Sequence, residues 1–399
     1  MLPPTPIRRL FLVPLVVVIG CALAVLAPPV ALLSWVFDRI RRRRDQGKVR
    51  HSRLLRVIFL GLAWSAGEVA ALTVFLGLWL ASGFGGRLDT EPYQARHYGV
   101  MRWFLDLIYR ATERATGLRV TVTGPGQTDS PADPLGADSS QPCPPADRPV
   151  IVLSRHAGPG DSLLLIHYLL SVGERRPRVV MKATLQLDPT ADIVANRLPN
   201  AFLRRRAATT ADNARQRTDQ IRRLAAGMTG GSALVLFPEG GNWTPYRWRR
   251  GIDRLRRGGR PDLAERAAAM PNVLPPHGSG ALSAIAACPA ADVVFVAHTG
   301  LDRLVSVRDV WRSLHTDMQI KARWWRVPAA SVPRAVSRDA QLDWLYDWWA
   351  RIDGWITEQH PAGPEPGADP APGADAGPGA DPGLAAGPPT GIPEAPSLT

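Results

Sequence analysis

Two long apolar runs open the chain, at residues 10–37 and 57–82. Each exceeds the roughly 18–20 residues that mark a membrane helix, and the second run has a single charge, Glu68. We therefore expect two membrane-embedded helices within residues 1–83, with two buried core helices as the alternative. The first run also resembles a signal peptide, but its apolar stretch continues well past Cys21, so we expect no cleavage there.

A strongly basic segment joins the two runs. Residues 38–56 contain nine Lys and Arg, which favours the cytoplasmic side of a membrane. If the second run crosses completely, the chain after residue 83 lies outside the cell. Alternatively, Pro14, Pro28 and Pro29 break the first helix and the pair dips as a hairpin into one leaflet. That second arrangement would place the remaining chain on the cytoplasmic face of the cell membrane, as we expect, although the sequence leaves both open.

From residue 84 to 360, short apolar segments alternate with amphipathic ones. This alternation predicts an α/β catalytic domain with a mixed, mostly parallel sheet flanked by helices and preceded by the two membrane helices. The predicted strands cover 118–124, 149–154, 178–183, 233–237, 292–297 and 317–326. The predicted helices cover 99–117, 162–172, 211–226, 280–287 and 340–358.

Two segments have the composition of loops. Residues 125–148 are rich in Pro, Asp and Ser, which predicts a loop inserted into the domain. Residues 361–399 consist mainly of Pro, Gly, Ala and Asp. This tail has too little apolar surface to offset chain entropy, so we expect it to be disordered.

Charge and cysteine content narrow the function classes. The formal net charge of +13 suits an anionic partner such as nucleic acid, anionic lipid or a phosphorylated substrate. The three cysteines, Cys21, Cys143 and Cys288, are scattered and form no CxxC pair. This pattern supports neither a disulfide framework nor a cysteine zinc site, and we expect no metal or cofactor.

A histidine and an aspartate stand close together where a predicted strand gives way to a helix. The stretch SRHAGPGDS places His156 five residues before Asp161, with Gly-Pro-Gly between them. Such a turn, with Asp161 at the helix N-cap, brings the carboxylate back to the imidazole ring. An aspartate that holds Nδ1–H leaves Nε2 available as a base. Alone, the pair is equally typical of a capping aspartate and a surface histidine.

A second motif makes the pattern specific. Phe237-Pro238-Glu239-Gly240 follows the apolar strand ALVLF. Together, His-x4-Asp and a strand-terminal FPEG resemble the glycerolipid acyltransferase family, which includes 1-acylglycerol-3-phosphate acyltransferase. Two weaker blocks follow the family's order: VVMK, which ends at Lys182, with Phe202-Leu203-Arg204-Arg205 after it, and the segment Val273–Gly278.

The resemblance implies an activity and roles for its residues. A fatty acyl group would move from acyl-CoA or acyl carrier protein (acyl-ACP) to the hydroxyl of a lysophospholipid. His156 would be the base and Asp161 its orienting partner. The substrate-binding residues would be Arg205, which binds the acceptor's phosphate, Glu239 and Gly240, which shape the acceptor site, and Lys182 and Arg204. Another lipid or glycolipid acceptor, or a non-catalytic lipid-binding protein of the same fold, is the alternative.

Three features depart from the family pattern or lie outside it. Arg155 stands where Asn or Ser commonly precedes the histidine, and His277 where many members have Arg or Lys. The run 243–260 contains seven arginines with interleaved aromatics. It is typical of a nucleic-acid surface, an anionic-lipid surface, a clamp for donor phosphates or a solvated helix. Nucleic-acid binding explains neither the apolar runs nor FPEG, so we expect no nucleic-acid partner.

Overall fold

One seven-stranded sheet organises the part of the chain that the structure describes. This computed structural model describes residues 2–42, 53–124, 147–158, 160–203, 211–301 and 317–359. The strands are β1 (Arg119–Thr123), β2 (Val150–Ser154), β3 (Arg176–Lys182), β4 (Ala201–Leu203), β5 (Ser232–Leu236), β6 (Asp292–Thr299) and β7 (Gln319–Val327). Their order is β1-β7-β6-β2-β5-β3-β4. All neighbours pair in parallel except β6 and β7, which confirms the predicted mixed, mostly parallel α/β fold.

Ten α-helices lie within the described residues. They are α1 (Thr5–Arg42), α2 (Arg53–Ala81), α3 (Glu91–Thr116), α4 (Asp161–Ser171), α5 (Pro189–Arg197), α6 (Ala211–Ala226), α7 (Pro245–Arg257), α8 (Pro261–Ala268), α9 (Gly278–Ala287) and α10 (Arg338–Gln359). The strands and helices predicted after residue 84 agree with these bounds to within two residues, except that α3 begins at Glu91 rather than at 99. Helices α1 and α2 extend up to five residues beyond the apolar runs, and β4, α5 and α8 were not predicted. Most of the 125–148 loop and the whole 361–399 tail lie outside the described residues.

The two faces of the sheet carry different layers of helices. Along β2, Ile151 and Leu153 belong to one core cluster with residues of α6, α7, α8, α9 and α10. Val150 and Val152 point to the other face, where they cluster with Leu169 of α4. A further cluster joins α4 to α2, α3 and α5. We call these the α9 face and the α4 face, and the N-terminal helices therefore belong to the α4 face.

The first two helices are long and apolar enough to cross a membrane, as predicted. The expected break at the prolines is wrong, because α1 runs unbroken through Pro14, Pro28 and Pro29. In an apolar environment, neighbouring groups can satisfy the backbone that a proline frees. The prolines therefore give no support to a hairpin confined to one leaflet, and the cytoplasmic placement of the remaining chain stays a prediction.

Helix α2 is lined by protein on one side. Its Trp64 packs edge-to-face on Phe104 of α3, and its Phe75 stacks on His97 at the other end of α3. The two helices are thus antiparallel neighbours along this stretch. Many outward side chains of α1 and α2 are exposed large apolar residues. The pair is therefore anchored to the catalytic domain on one side and presents an apolar surface on the other, which favours membrane association.

A buried ion cluster fixes α1 to α5. The Arg8 guanidinium contacts Asp192 Oδ1 at 2.7 Å, and Arg9 Nε contacts Asp192 Oδ2 at 2.7 Å. Asp192 is 1% exposed and Arg8 6%. Nearby, Arg197 of α5 donates to the carbonyl oxygen of Phe75 at 2.9 Å. The α/β domain is thus held to the start of α1 and the end of α2 by charge and hydrogen bonds.

We predict that Asp192→Asn destabilises this junction. The substitution leaves the Arg8 guanidinium buried without a carboxylate, and breaking a buried pair typically costs about 3–5 kcal/mol. Arg9→Ala is the matched control, because that side chain is one-third exposed and a pair of this kind contributes at most about 1 kcal/mol. Thermal unfolding of the detergent-solubilised variants measures both. Equal, small losses would contradict a buried anchor at Asp192.

Candidate active site

The predicted site residues gather where parallel strands end. His156 follows the end of β2, and Glu239 follows the end of its neighbour β5. Lys182 is the last residue of β3, at the same edge of the sheet, and is exposed. Ligand sites in parallel α/β sheets lie outside the carboxyl ends of the strands. Arg204 and Arg205 follow the end of β4 in sequence but lie outside the described residues.

His156 and Asp161 are in direct contact. His156 Nδ1 lies 2.8 Å from Asp161 Oδ2, and because a carboxylate only accepts, this nitrogen carries the proton. The same oxygen accepts the Ala157 amide at 2.9 Å. The other oxygen accepts the amide of Ser162 at 2.5 Å and its hydroxyl at 3.1 Å. These donors fix the carboxylate, and the carboxylate fixes the ring with Nε2 on its far side.

The Asp161 carboxyl is held in its ionised form. Burial alone would raise its pKa, but the hydrogen bond and positive charge of His156, with His298 nearby, outweigh burial and lower the pKa. The predicted N-cap position is wrong by one residue, because Gly160 is the N-cap and Asp161 opens α4. Asp161 therefore acts on the turn before the helix as well as on His156.

The turn between the two residues requires glycine at a defined position. A Cβ at Gly158 would run into the backbone carbonyl oxygen of Leu301. Gly160 adopts φ of +94°, but a Cβ there would meet open space. Gly158 is therefore required because the backbone after β6 lies too close for a Cβ. Gly160 is required because its backbone is left-handed.

Glu239 is buried beneath the histidine. Its Oε1 accepts the backbone amide of His156 at 3.4 Å, and its Oε2 accepts the amide of Leu274 at 3.3 Å. Burial raises the pKa of Glu239 to about 8, while nearby Arg155 and the two amides oppose that shift. The FPEG carboxyl therefore braces the backbone of His156. Gly240 turns the chain at φ of +71° and faces the His277 ring.

Two residues that the sequence did not assign complete this frame. Arg155 is 1% exposed and donates to the carbonyl oxygens of His298 at 2.7 Å and Asn272 at 3.0 Å. His298 Nε2 lies 3.7 Å from Asp161 Oδ2. These contacts explain why arginine, rather than the Asn or Ser common in the family, precedes the histidine. The Arg155 side chain joins the end of β6 to the segment before α9. The sequence did contain a signal for His298, because this histidine directly follows the predicted strand 292–297, at a strand end like that of His156.

The comparison with known families agrees with this geometry. Residues 122–314 match the family model described as acyltransferase, a range that contains His156, Asp161 and Glu239. Residues 122–314 therefore form an acyltransferase family domain. A search of curated proteins gave no match. The matched range begins after α1 and α2, so the membrane helices stand outside the acyltransferase match.

An apolar cavity of about 300 Å³ lies beside the dyad of this acyltransferase. It occupies the α4 face of the sheet, and Asp161 and His298 are among its lining residues. Its walls come from β1, β2, β6 and β7 and from α3 and α4, including Val120, Val122, Val150, Val152, Leu165, Leu169, Val294, Val296 and Trp324. Among the described residues, no three His, Cys, Asp or Glu side chains converge into a metal-binding group. The site therefore joins a polar dyad to a long apolar space.

We predict that Gly158→Ala and Gly160→Ala differ in their cost. At Gly158 the added methyl meets fixed backbone, and overpacking of that kind costs up to about 3 kcal/mol. At Gly160 only the left-handed conformation is penalised, by about 1 kcal/mol. Chemical or thermal unfolding of the two variants measures the difference. A loss at Gly160 as large as that at Gly158 would show that backbone conformation, and not the contact with Leu301, selects glycine in this turn.

Proposed function

We propose that this protein is a membrane-associated enzyme that transfers a fatty acyl group from acyl-CoA or acyl-ACP to the hydroxyl of a lysophospholipid, such as lysophosphatidate. The observation that carries the proposal is the His156–Asp161 dyad, set beside the apolar cavity in an acyltransferase family domain. A base next to an apolar chain site is what esterification of a lipid alcohol requires. Such a reaction belongs to phospholipid synthesis or remodelling.

The dyad supplies the proton chemistry of the transfer. His156 Nε2 takes the proton of the acceptor hydroxyl as its oxygen attacks the thioester carbonyl carbon. The tetrahedral oxyanion collapses, the carbon–sulfur bond breaks, and the imidazolium returns the proton to the departing thiolate. Asp161, ionised and hydrogen-bonded to Nδ1–H, stabilises the imidazolium between these steps. The products are an ester and a free thiol, so atoms and charge balance without another reactant.

Direct transfer fits the cysteines. Cys288 is buried in the core of the α9 face, and burial raises the pKa of its thiol, so it makes a poor nucleophile. Cys21 lies on α1, and Cys143 lies outside the described residues. The thioester is already activated, so we infer that His156 acts on the acceptor and no acyl-enzyme forms.

The cavity on the α4 face is the proposed site of the acyl chain. Its lining is predominantly aliphatic and includes Asp161, the partner of His156, so a thioester held at His156 would have an apolar space nearby for its chain. Burying a methylene group contributes about 0.8 kcal/mol. A chain that fills the cavity therefore supplies much of the binding free energy of the donor.

The acceptor's phosphate is the proposed partner of basic residues at the strand ends. Lys182 ends β3, and Arg204 and Arg205 follow β4 directly in sequence. Strands β3 and β4 are parallel neighbours, so Lys182 lies beside the end of the strand that precedes Arg204 and Arg205 in sequence. Guanidinium groups bind phosphate with two parallel hydrogen bonds, which supports Arg205 as the main contact. Gly240 leaves room beside His277, and Glu239 acts by positioning His156.

Two other functions remain compatible with parts of the molecule. An acyltransferase with another lipid or glycolipid acceptor would use the same dyad and cavity. A non-catalytic lipid-binding protein would use the cavity alone. A non-catalytic lipid-binding protein would have no need of an ionised Asp161 that orients His156. The dyad therefore favours an enzyme over a lipid-binding protein. The apolar surface of α1 and α2 supports a location at the cell membrane.

We predict that His156→Ala lowers kcat by about 10²–10⁴-fold, the contribution of a positioned general base. Asp161→Asn should also be severely impaired, because an amide cannot stabilise the imidazolium. His97→Ala is the matched control, since that histidine of α3 contacts the carbonyl oxygen of Tyr93 at 2.6 Å and does not line the cavity. Transfer to lysophosphatidate is measured with purified, folded variants. Near-normal turnover by His156→Ala would remove the catalytic assignment.

A second prediction concerns chain length. Val294→Phe adds a ring to the cavity wall, so kcat/KM for long acyl donors should fall by at least tenfold, while a short acyl donor is affected less. Val152→Ala removes two methyl groups from the same space and should shift the preference towards longer or bulkier chains. Competition between thioesters of different chain length measures both variants. An unchanged preference in both would place the acyl chain elsewhere.

A further inference from the structure

Helix α7 presents an exposed row of cations. Its thirteen residues include six arginines and one acid, Asp253, and all six arginines are exposed. The inward side is held to the core by Ile252, which is buried, and by the Trp248 indole, which donates to the carbonyl oxygens of Ala267 and Met270. Because this tryptophan faces inward, the outward side of α7 is mainly cationic, and Tyr246 is its exposed aromatic residue.

These charges are less compensated than others of the same layer. Arg266 of α8 contacts Asp343 at 3.1 Å and Asp347 at 2.6 Å on α10. By contrast, within the described residues, Arg250, Arg254 and Arg257 form no ion pair. Like charges held side by side on one helix repel each other by a few tenths of a kcal/mol per pair. An anionic partner that neutralises them would relieve that repulsion.

The position of α7 relates it to the active site. The amide of Trp243, two residues before the helix, donates to the carbonyl oxygen of His156 at 2.9 Å. At 1.5 Å per residue, the helix then extends for about 20 Å. The segment that leads into α7 is thus hydrogen-bonded to the backbone of His156, which ties the start of the helix to the active site.

The layer in which α7 lies argues against a membrane partner. Ile252 packs on the α9 face of the sheet, whereas α1 and α2 belong to the α4 face. A nucleotide is a poor fit as well, because nucleotide sites are concave and no residue of α7 lines the cavity at the dyad. Arg256 pairs with Asp253 at 3.6 Å, but the exposed cations Arg250, Arg254 and Arg257 on the same helix match an acidic protein surface.

We propose that the outward face of α7 is the docking surface for an acidic acyl carrier protein. The docked carrier presents its acyl thioester to His156, and the acyl chain enters the cavity, which lies on the other face of the sheet from α7. The proposal rests on the proposed transferase function and selects one of its two donor classes. Charged surfaces of opposite sign mainly increase the rate of productive encounter, by about 10–10³-fold. The effect should therefore appear in kcat/KM and be sensitive to salt.

The test uses the full-length double variant Arg250→Glu and Arg257→Glu, whose positions share one side of α7. Its matched control is Arg222→Glu with Arg338→Glu, two exposed arginines on α6 and α10 of the same layer, which change the net charge equally. Transfer is measured with palmitoyl carrier protein and with palmitoyl-CoA. We expect the α7 variant to lose about tenfold or more in kcat/KM for the carrier protein, with palmitoyl-CoA close to wild type and the control close to wild type for both donors.

Binding is measured independently of turnover, by fluorescence anisotropy of a labelled holo carrier protein and by flotation with anionic vesicles. Loss of carrier binding by the α7 variant alone supports the docking surface, even if no transfer is detected, so a failed transferase function is distinguished from a failed docking site. An equal loss for both thioesters would reassign α7 to coenzyme A phosphates and overturn the proposal. Loss of vesicle binding instead of carrier binding, or no change in any measurement, would also overturn it.

Discussion

The hydrogen bond between His156 Nδ1 and Asp161 Oδ2, 2.8 Å long, is the interaction on which the rest of the site depends. It joins the end of a central strand to the first residue of α4, so the turn between them must be tight enough to need glycine beside Leu301. Glu239 holds the backbone of the histidine from the neighbouring strand, and Arg155 ties the next strand end into the same frame. Strands β2, β5 and β6 are parallel neighbours, so their carboxyl ends lie at the same edge of the sheet and bring these contacts together.

The two faces of the sheet divide the tasks that a lipid acyltransferase must combine. The α4 face carries the apolar cavity and the helices α1 and α2, which are suited to lipid. The α9 face carries the cationic helix α7, which is suited to a soluble anionic partner. The dyad lies at the edge between them. In the proposed function, a water-soluble donor and a membrane-bound acceptor would approach the same histidine from different directions.

The sequence predicts most of the sheet, since strands such as β2 and β5 are fully buried apolar runs. It also brings His156, Asp161 and Glu239 into one site through motifs with fixed spacing. It does not predict the partners of Arg155, because His298 lies 143 residues away, nor the pairing of Arg8 with Asp192. The prolines of α1 suggested a break that the helix does not make. For Arg155 and for the Arg8–Asp192 pair, tertiary contacts, which local patterns do not contain, decide the outcome.

The most direct test of the account is thiol release from palmitoyl carrier protein or palmitoyl-CoA by the purified full-length protein, with and without lysophosphatidate and a panel of other lipid alcohols. The account predicts that thiol release requires a lipid alcohol and that each thiol released is matched by one acyl group in the esterified lipid. A folded, membrane-competent protein that transfers no acyl group to any lipid alcohol, or that releases thiol only by hydrolysis, would contradict it.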